Sequence, residues 1–218
     1  MTKTPDDTPP LKTSGLILHA PVFYDLAVRL MTLGREHAFR ERLLGLAHLK
    51  PGESVLDVSC GTGTLAIAAR RHVGPAGDVT GIDASPEMLA RAERKARKAG
   101  VAVLFKRAAA QVLPFPDAQF DAVFATVMFH HLPRKGRDEC AGEMRRVMKP
   151  GGRVLVVDFA APAQPRSNLL DYFHHRHGHL NLDDIVATLE AAGLTIVDRG
   201  AVQFRNLQFA LATDLRQP

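Results

Sequence analysis

Two carboxylates and the glycine loop between them are the residues of this sequence that point most directly to chemistry. An apolar run at residues 55–58 carries Asp57 and leads into a loop that contains Gly61 and Gly63. A second apolar run ends at Asp83, twenty residues after Gly63. A glycine loop lets backbone approach a ligand closely, and a carboxylate at the second position can accept hydrogen bonds from a ribose diol. The spacing therefore predicts a site for a nucleoside-containing cofactor.

A second set of residues has the chemistry to act on another reactant. His130 and His131 follow the fourth predicted strand, where an imidazole can serve as a base or an anchor, or else as ordinary scaffold bonded to backbone. Tyr24 can cover a ligand with its ring or pack as a helix aromatic. Asp158 ends the fifth predicted strand and either faces the site or pairs with an arginine. Four histidines lie within residues 174–179, but no cysteine or helical i, i+4 pair organises them, so no metal site is predicted there.

These side chains can meet only if the strands that carry them end at a common edge of a sheet. The hydrophobic pattern of the sequence predicts such strands. Strands alternate with helices along the chain, which predicts an α/β fold with a doubly wound, Rossmann-like sheet and ligands at the carboxyl ends of its strands. The predicted strands are 54–58, 78–82, 101–106, 120–126, 153–159, 194–198 and 206–213, and the predicted helices are 22–33, 35–49, 64–72, 86–99, 136–148 and 181–192.

The length of 218 residues fits a single domain. Residues 1–14, rich in Thr, Pro and Asp, are predicted to form a flexible tail, and residues 15–218 the domain itself. Within that domain, residues 15–50 form a helical cap, and residues 160–180 form a variable segment beside the acceptor.

Composition places the chain among ordinary globular enzymes, with 46% hydrophobic and 23% charged residues. The two cysteines, Cys60 and Cys140, have neither disulfide nor zinc spacing, which favours a reducing, cytoplasmic setting. We expect no signal peptide and no integral membrane segment, since no apolar stretch approaches about 18 residues.

The net charge of +5 comes largely from a basic cluster at residues 91–98. The favoured interpretation is a solvated helix face, and the alternative is attraction to nucleic acid or anionic lipid. No aromatic residue interleaves with these charges and the sequence has no tryptophan, which disfavours a surface that stacks single-stranded bases.

Landmarks beyond the loop discriminate between two kinds of cofactor. Residues 61–66 alone fit a dinucleotide pattern. Asp57, however, directly precedes the loop, where a carboxylate suits an ammonium group better than a pyrophosphate, and no separate substrate domain follows. The segments that match a known family are 55–63, 81–89, 110–117, 120–121, 130–132 and 143–152. In these segments the chain resembles class I S-adenosylmethionine-dependent methyltransferases, most closely the group that includes the ubiquinone and menaquinone biosynthesis C-methyltransferases.

The resemblance implies a seven-stranded sheet with an antiparallel last strand, S-adenosylmethionine as cofactor, and a set of binding residues. Asp57 and the backbone of Ser59, Gly61, Thr62 and Gly63 would hold the methionyl end of the cofactor, and Asp83 would hold the ribose. Ala84, Met88, Ala110 and Gln111 would lie around the adenine, and Thr126 would close the site.

Three positions depart from the family pattern. Ala109 and Gln111 replace the usual Asp or Asn and the usual Glu, so that the adenine amino group loses an acceptor worth about 0.5–1.5 kcal/mol. Ser59 replaces a common glycine.

The expected activity is methyl transfer to a small, apolar or aromatic acceptor, with His130, His131 and Tyr24 as candidate catalytic residues. Apolar lining is expected from Phe23, Phe129, Phe159 and Phe173. An RNA-directed methyltransferase and a non-catalytic binder stay open as alternatives. An NAD-dependent oxidoreductase is less favoured because it leaves Asp57 unexplained. A monomer and a homodimer are both compatible with the sequence.

Overall fold

The computed structural model describes Thr13, residues 20–160 and residues 180–215. Its helices are α1 (Pro21–Met31), α2 (Glu36–Leu46), α3 (Thr64–Val73), α4 (Pro86–Ala99), α5 (Arg134–Val147) and α6 (Leu182–Ala191), with a 3-10 helix at Phe129–His131. Its strands are β1 (Ser54–Val58), β2 (Asp78–Asp83), β3 (Leu104–Arg107), β4 (Phe120–Thr126), β5 (Met148–Phe159), β6 (Thr195–Ala201) and β7 (Leu207–Thr213).

One seven-stranded sheet in the order β3-β2-β1-β4-β5-β7-β6 organises these elements. Strand β1 pairs in parallel with both β2 and β4, and β5 continues the parallel part beside β4. Strand β7 runs antiparallel to both of its neighbours, β5 and β6. The predicted doubly wound sheet, mostly parallel with an antiparallel last strand, is therefore confirmed.

Helices cover both faces of the sheet, which is why the central strands are apolar throughout. On β4, Val123 and Ala125 pack into the core shared with α5 and α6, whereas Ala122 and Phe124 pack into the core shared with α2 and α3. Full burial of a large apolar side chain such as Phe124 stabilises the fold by about 1.5–3 kcal/mol. An uninterrupted apolar run of this kind is typical of a strand that is buried on both faces.

Two helix starts follow the predicted capping chemistry. The Ser85 hydroxyl accepts a hydrogen bond from the Met88 N–H at 3.3 Å, with Pro86 in the first turn of α4. Asn181 and Asp184 form a reciprocal capping box at the start of α6. These caps fix where α4 begins, directly behind Asp83.

Several strand boundaries differ from the predicted ones, most of all the starts of β3 and β5 and the end of β6, which lies at Ala201 instead of residue 198. Strand β3 begins at Leu104 instead of residue 101, because its ladder with β2 starts only at Thr80. Strand β5 begins at Met148 instead of residue 153. The predicted turn at residues 149–152 is absorbed into that strand as an irregularity in its pairing with β4.

Candidate functional site

An open cavity of about 720 Å³ lies at the carboxyl ends of β1, β2 and β4. The order of the strands reverses between β1 and β4, and doubly wound sheets bind their ligands at such a reversal. The cavity is lined by Thr13, Tyr24, Ser59, Gly61, Asp83, Ala84, Met88, Ala108, Ala110, Gln111, Thr126, Val127, Met128, His131 and Leu132.

The loop after β1 turns through left-handed backbone. Ser59, Gly61 and Gly63 have φ values of 60°, 54° and 74°. A Cβ on Gly63 would lie 2.7 Å from the Cβ of Ala92, so the loop packs tightly against α4 and leads directly into α3. Ser59 adopts a conformation that costs a non-glycine residue about 1–2 kcal/mol, which explains why a glycine is usual at this position.

Asp83 faces the cavity from the end of β2 and ties the two loops together. One carboxylate oxygen accepts the Gly61 N–H and the other accepts the Ser85 N–H, each at 2.9 Å. Burial raises the pKa of Asp83 in spite of these bonds. Each oxygen keeps a second lone pair, so the carboxylate can also accept hydrogen bonds from a diol.

Asp57 lies behind the cavity wall, with only 1% of its surface exposed. Neither carboxylate oxygen has a hydrogen-bond partner of good geometry among the described residues. Burial raises the pKa of Asp57 to about 7, although the Arg40 guanidinium opposes the shift, and the Asp83 carboxylate adds to it. A buried carboxylate without a donor is costly, and such groups are concentrated at functional sites.

The ring of Tyr24 covers the glycine loop from α1. Its hydroxyl end lies 3.4 Å from the position that a Cβ on Gly61 would occupy. Burial raises the pKa of the Tyr24 phenol, with Arg40 opposing the shift. The Tyr24 ring therefore lies over the glycine loop, and its role as a lid stays a prediction.

Asp25 joins α1 to the glycine loop and to α4 through a group of polar contacts that we call the Asp25 clasp. Its Oδ1 accepts hydrogen bonds from the Thr62 hydroxyl at 2.7 Å and from Lys95 at 2.6 Å, and its Oδ2 accepts one from Arg91 at 3.0 Å. Partial burial acts to raise the pKa of Asp25, but the bonds from Lys95 and Thr62 outweigh it and hold that pKa below its ordinary value. Thr62 therefore points toward the clasp, and its side chain does not line the cavity.

The end of the cavity predicted to hold adenine is mostly apolar. Ala84, Met88 and Ala110 line it together with Gln111. Ala109 lies behind that wall and forms an isolated backbone bridge with Val112.

The opposite end offers apolar side chains and one imidazole. Thr126, Val127, Met128, His131 and Leu132 line it after the end of β4. Val127 has a φ of 56°, which is unfavourable for a β-branched residue and costs about 1–3 kcal/mol. Its N–H donates to a carbonyl of β5 at 2.7 Å, which helps to hold this strained conformation at the cavity wall.

His130 and Asp158 form a close pair behind this wall. The His130 Nδ1 lies 2.6 Å from one oxygen of the fully buried Asp158, and the His130 backbone N–H donates to the other oxygen at 3.1 Å. The centroids of the His130 and His131 rings are 3.8 Å apart. Asp158 thus orients one imidazole, which in turn packs against the imidazole at the cavity.

The structure brings most of the predicted residues to the cavity and leaves a minority behind it. Ten line the wall: Tyr24, Ser59, Gly61, Asp83, Ala84, Met88, Ala110, Gln111, Thr126 and His131. Four that do not are Asp57, Thr62, Gly63 and His130. The roles of all of these residues stay predictions.

Three of the four predicted lining aromatics do not line the cavity. Phe129 is fully buried in the core, and Phe23 is exposed on the outside of α1. Alternating apolar residues do not reveal which face of a short helix turns inward, so the sequence could not separate these positions. Phe159 does not line the cavity either, and Phe173 and residues 174–179 lie outside the described residues.

Sequence reasoning missed Arg40, Asp25 and the apolar wall at Met128 and Leu132. Arg40 was detectable in principle, because it interrupts the buried face of α2 between Phe39 and Leu43. Asp25 was not, because its partners stand 37 to 70 residues away in the chain.

Two features are absent from the described part of the chain. It contains no group of three or more His, Cys, Asp or Glu side chains able to hold a metal ion. Within the same residues, no helix is both long and apolar enough to cross a bilayer.

Comparisons with known proteins agree with the geometry. A family model described as a methyltransferase domain matches residues 55–152. The chain is 41% identical over 139 residues to the demethylmenaquinone methyltransferase of Thermus thermophilus, covering 64% of this chain and 62% of that relative. It is 34% identical over 160 residues to the ubiquinone/menaquinone biosynthesis C-methyltransferase UbiE of Bordetella avium, covering 71% of this chain and 62% of the relative.

A solved structure extends the match beyond that domain. The crystal structure of an S-adenosylmethionine-dependent methyltransferase from Aquifex aeolicus superposes with a TM-score of 0.70 and 25% identity, covering 88% of this chain and 97% of that one. The chain spans less than two thirds of the length of the two curated relatives, 62% in each case.

Proposed function

Because the chain belongs to the class I S-adenosylmethionine-dependent methyltransferases, we propose that it transfers a methyl group to a carbon atom of a small aromatic acceptor of the quinol type. The names of the two curated relatives support this acceptor class. The observation that carries the proposal is the cavity itself, where the Asp83 carboxylate lies at one end and an apolar wall at the other.

The residues around the glycine loop fit the cofactor. Asp83 would accept the ribose hydroxyls, since its oxygens face the cavity with lone pairs to spare. Asp57 supplies a buried carboxylate on the strand before the loop, with no well-aligned hydrogen bond to its oxygens among the described residues, which suits the methionyl ammonium group. The N-terminus of α3 follows Gly63 and suits the methionyl carboxylate. When bound, S-adenosylmethionine supplies an electrophilic methyl group on a sulfonium.

Alignment and exclusion of water are the main contributions of the protein to such a reaction. Tyr24 covers the loop from α1, and the apolar side chains of Val127, Met128 and Leu132 form the wall on which a ring can lie. The residues that line this wall include no Asp, Glu, Lys or Arg, which favours an uncharged acceptor.

Methylation at an aromatic carbon also requires that a proton leave the acceptor. His131 lies at the wall, and His130 behind it is oriented by Asp158. The Asp158 carboxylate holds the His130 ring in one orientation, and the His131 ring packs against it with ring centroids 3.8 Å apart. We assign His131 the role of proton acceptor and give Asp158 and His130 a positioning role.

Calorimetry and a labelled methyl-transfer assay test the proposal. We expect S-adenosylhomocysteine to bind, NAD not to bind, and label to enter a reduced short-chain demethylmenaquinone. Asp83→Ala should weaken S-adenosylhomocysteine binding at least about tenfold, since two charge-assisted bonds are lost. Asp78→Ala is the matched control, because this exposed carboxylate stands at the other end of the same strand.

In the same assay, His131→Gln should lower the transfer rate and leave S-adenosylhomocysteine affinity unchanged. Binding of NAD in place of S-adenosylhomocysteine would contradict the cofactor assignment. Label recovered in RNA would show that the acceptor is RNA and not a quinol. Cofactor binding without transfer to any acceptor would favour the non-catalytic alternative.

A further inference from the structure

Helix α1 carries an apolar surface that faces away from the protein. Four large side chains on it, and a fifth in the turn that follows it, are between 53% and 79% exposed. We call them the outer apolar face of α1, which consists of Val22, Phe23, Leu26, Leu30 and Leu33. Single exposed apolar residues are common, but a contiguous group on one helix face marks an interaction site.

The spacing of these residues makes the surface continuous. Val22, Leu26 and Leu30 are separated by four residues each, so that they stack along one side of the helix, and Phe23 lies beside them. The opposite side of α1 is already occupied, because Val28 is buried and Asp25 is held in the clasp. A helix that is apolar on its outer side as well as its packed side is normally covered on both sides.

A row of basic residues lies on α4, the helix that contacts the inner side of α1 through Asp25. Arg91, Arg94, Lys95 and Lys98 share one face of α4, at the i, i+3, i+4 and i+7 positions. Arg91 and Lys95 bind Asp25 of α1, so this face of α4 is the one that meets α1. Arg94 and Lys98 on the same face are exposed, as is Arg29 on α1.

Charge complementarity selects the occupant of this surface. Apolar side chains flanked by exposed Lys and Arg are the combination by which a helix lies in the headgroup region of an anionic bilayer. Two nearby acidic residues do not neutralise the charges of Arg94 and Lys98. Glu93 on α4 pairs with Arg97, and Asp25 is bonded to Arg91 and Lys95 in the clasp.

We propose that the outer apolar face of α1 and the basic row of α4 dock this protein on the surface of an anionic lipid bilayer. Tyr24, on the inner side of the same helix, lines the cavity, so docking brings the cavity wall close to the membrane. Resting on the proposed function, this inference identifies the bilayer as the source of an apolar acceptor. The chain would lie on the membrane and not span it.

Vesicle flotation of the full chain tests the proposal directly. The probes are vesicles of phosphatidylcholine alone and vesicles with about one third phosphatidylglycerol, at low and at high salt. We expect binding to the anionic vesicles that weakens with salt. The double variant Phe23→Ser/Leu30→Ser should bind at least about tenfold more weakly, and Arg94→Glu/Lys98→Glu by a similar factor.

A matched control separates the face of α1 from exposed apolar area in general. Leu104 on β3 and Val197 on β6 are 61% and 55% exposed, so Leu104→Ser/Val197→Ser removes comparable area elsewhere and should leave vesicle binding unchanged. Circular dichroism and S-adenosylhomocysteine affinity should match wild type for all three double variants, since none of their positions lines the cavity.

The outcomes are distinct from those that test the methyl transfer. Wild-type protein that binds S-adenosylhomocysteine but floats with neither kind of vesicle overturns the docking proposal alone. Sedimentation that shows a dimer converted to a monomer by Phe23→Ser/Leu30→Ser, with no vesicle binding, would assign the face to a second copy of the chain instead. Flotation without cofactor binding would preserve docking and remove the proposed activity.

Discussion

At the scale of single residues, the loop after β1 contains a side chain in a conformation that glycine adopts more easily. Ser59 has a φ of 60° and sits at the cavity wall. The strain of left-handed backbone is about 1–2 kcal/mol, and the entropy that a glycine adds to the unfolded chain is about 0.5–1 kcal/mol. Relief of strain is therefore the larger of the two effects.

We predict that Ser59→Gly stabilises the protein by about 0.5–1 kcal/mol, measured by urea unfolding. Ser54→Gly is the control, since Ser54 lies on β1 outside the positive-φ residues and should lose stability instead. A loss of stability in Ser59→Gly would show that the serine hydroxyl makes a contribution larger than the strain.

Secondary-structure elements are held at the site by very different means. Strands β1, β2 and β4 are fixed by ladders and by core on both faces, whereas α1 is fixed to the loop largely through the Asp25 clasp. The position of the Tyr24 ring depends on α1, so the clasp connects the charge of one aspartate to the cover over the glycine loop.

We predict that Asp25→Asn weakens S-adenosylhomocysteine binding about five- to thirtyfold, because it removes charge-assisted bonds worth about 1–2 kcal/mol from the contact of α1 with the loop. Hydrogen exchange should show faster exchange in α1 and unchanged protection in β1 and β4. Glu139→Gln, which removes a charge from the exposed Lys135–Glu139 pair, should change neither quantity. Equal loss of protection in α1 and the sheet would mean that the clasp supports the whole fold.

For the molecule as a whole, the charge of Asp57 links folding to pH. Its pKa is about 7 in the folded protein, against about 3.9 in an unfolded chain. Between these values the folded state binds more protons than the unfolded state, so the free energy of unfolding decreases as pH rises through this window. The raised pKa of Asp83 acts in the same direction.

We predict that the unliganded protein is less stable at pH 8 than at pH 5, and that Asp57→Asn reduces this difference by about 2–4 kcal/mol. Urea unfolding at the two pH values measures it. Asp121→Asn provides the contrast, because Lys149 and other partners hold the pKa of Asp121 below its ordinary value despite partial burial. That carboxylate stabilises the fold only above its unfolded pKa, so its removal should lower stability at both pH values.

Much of the architecture could be predicted because it depends on patterns of residues that are close together in the sequence. The doubly wound α/β class follows from the alternation of strands and helices, and Ser85 and Asn181 mark the starts of α4 and α6 as N-caps. The direction of Thr62 could not be predicted, because a residue far along the chain, Asp25, competes for its hydroxyl. The pairing of His130 with Asp158 has the same origin, since it joins residues 28 apart.

The position of β7 has a consequence for how the chain is made. This strand follows β6 in the sequence but lies between β5 and β6 in the sheet, paired with both. On the ribosome, β6 can therefore not join the sheet until Leu207–Thr213 has emerged, and β5 keeps an open edge until then. An open edge strand is a template for pairing with other chains. The nascent chain therefore carries an unpaired strand edge during the whole interval between synthesis of β5 and release of β7.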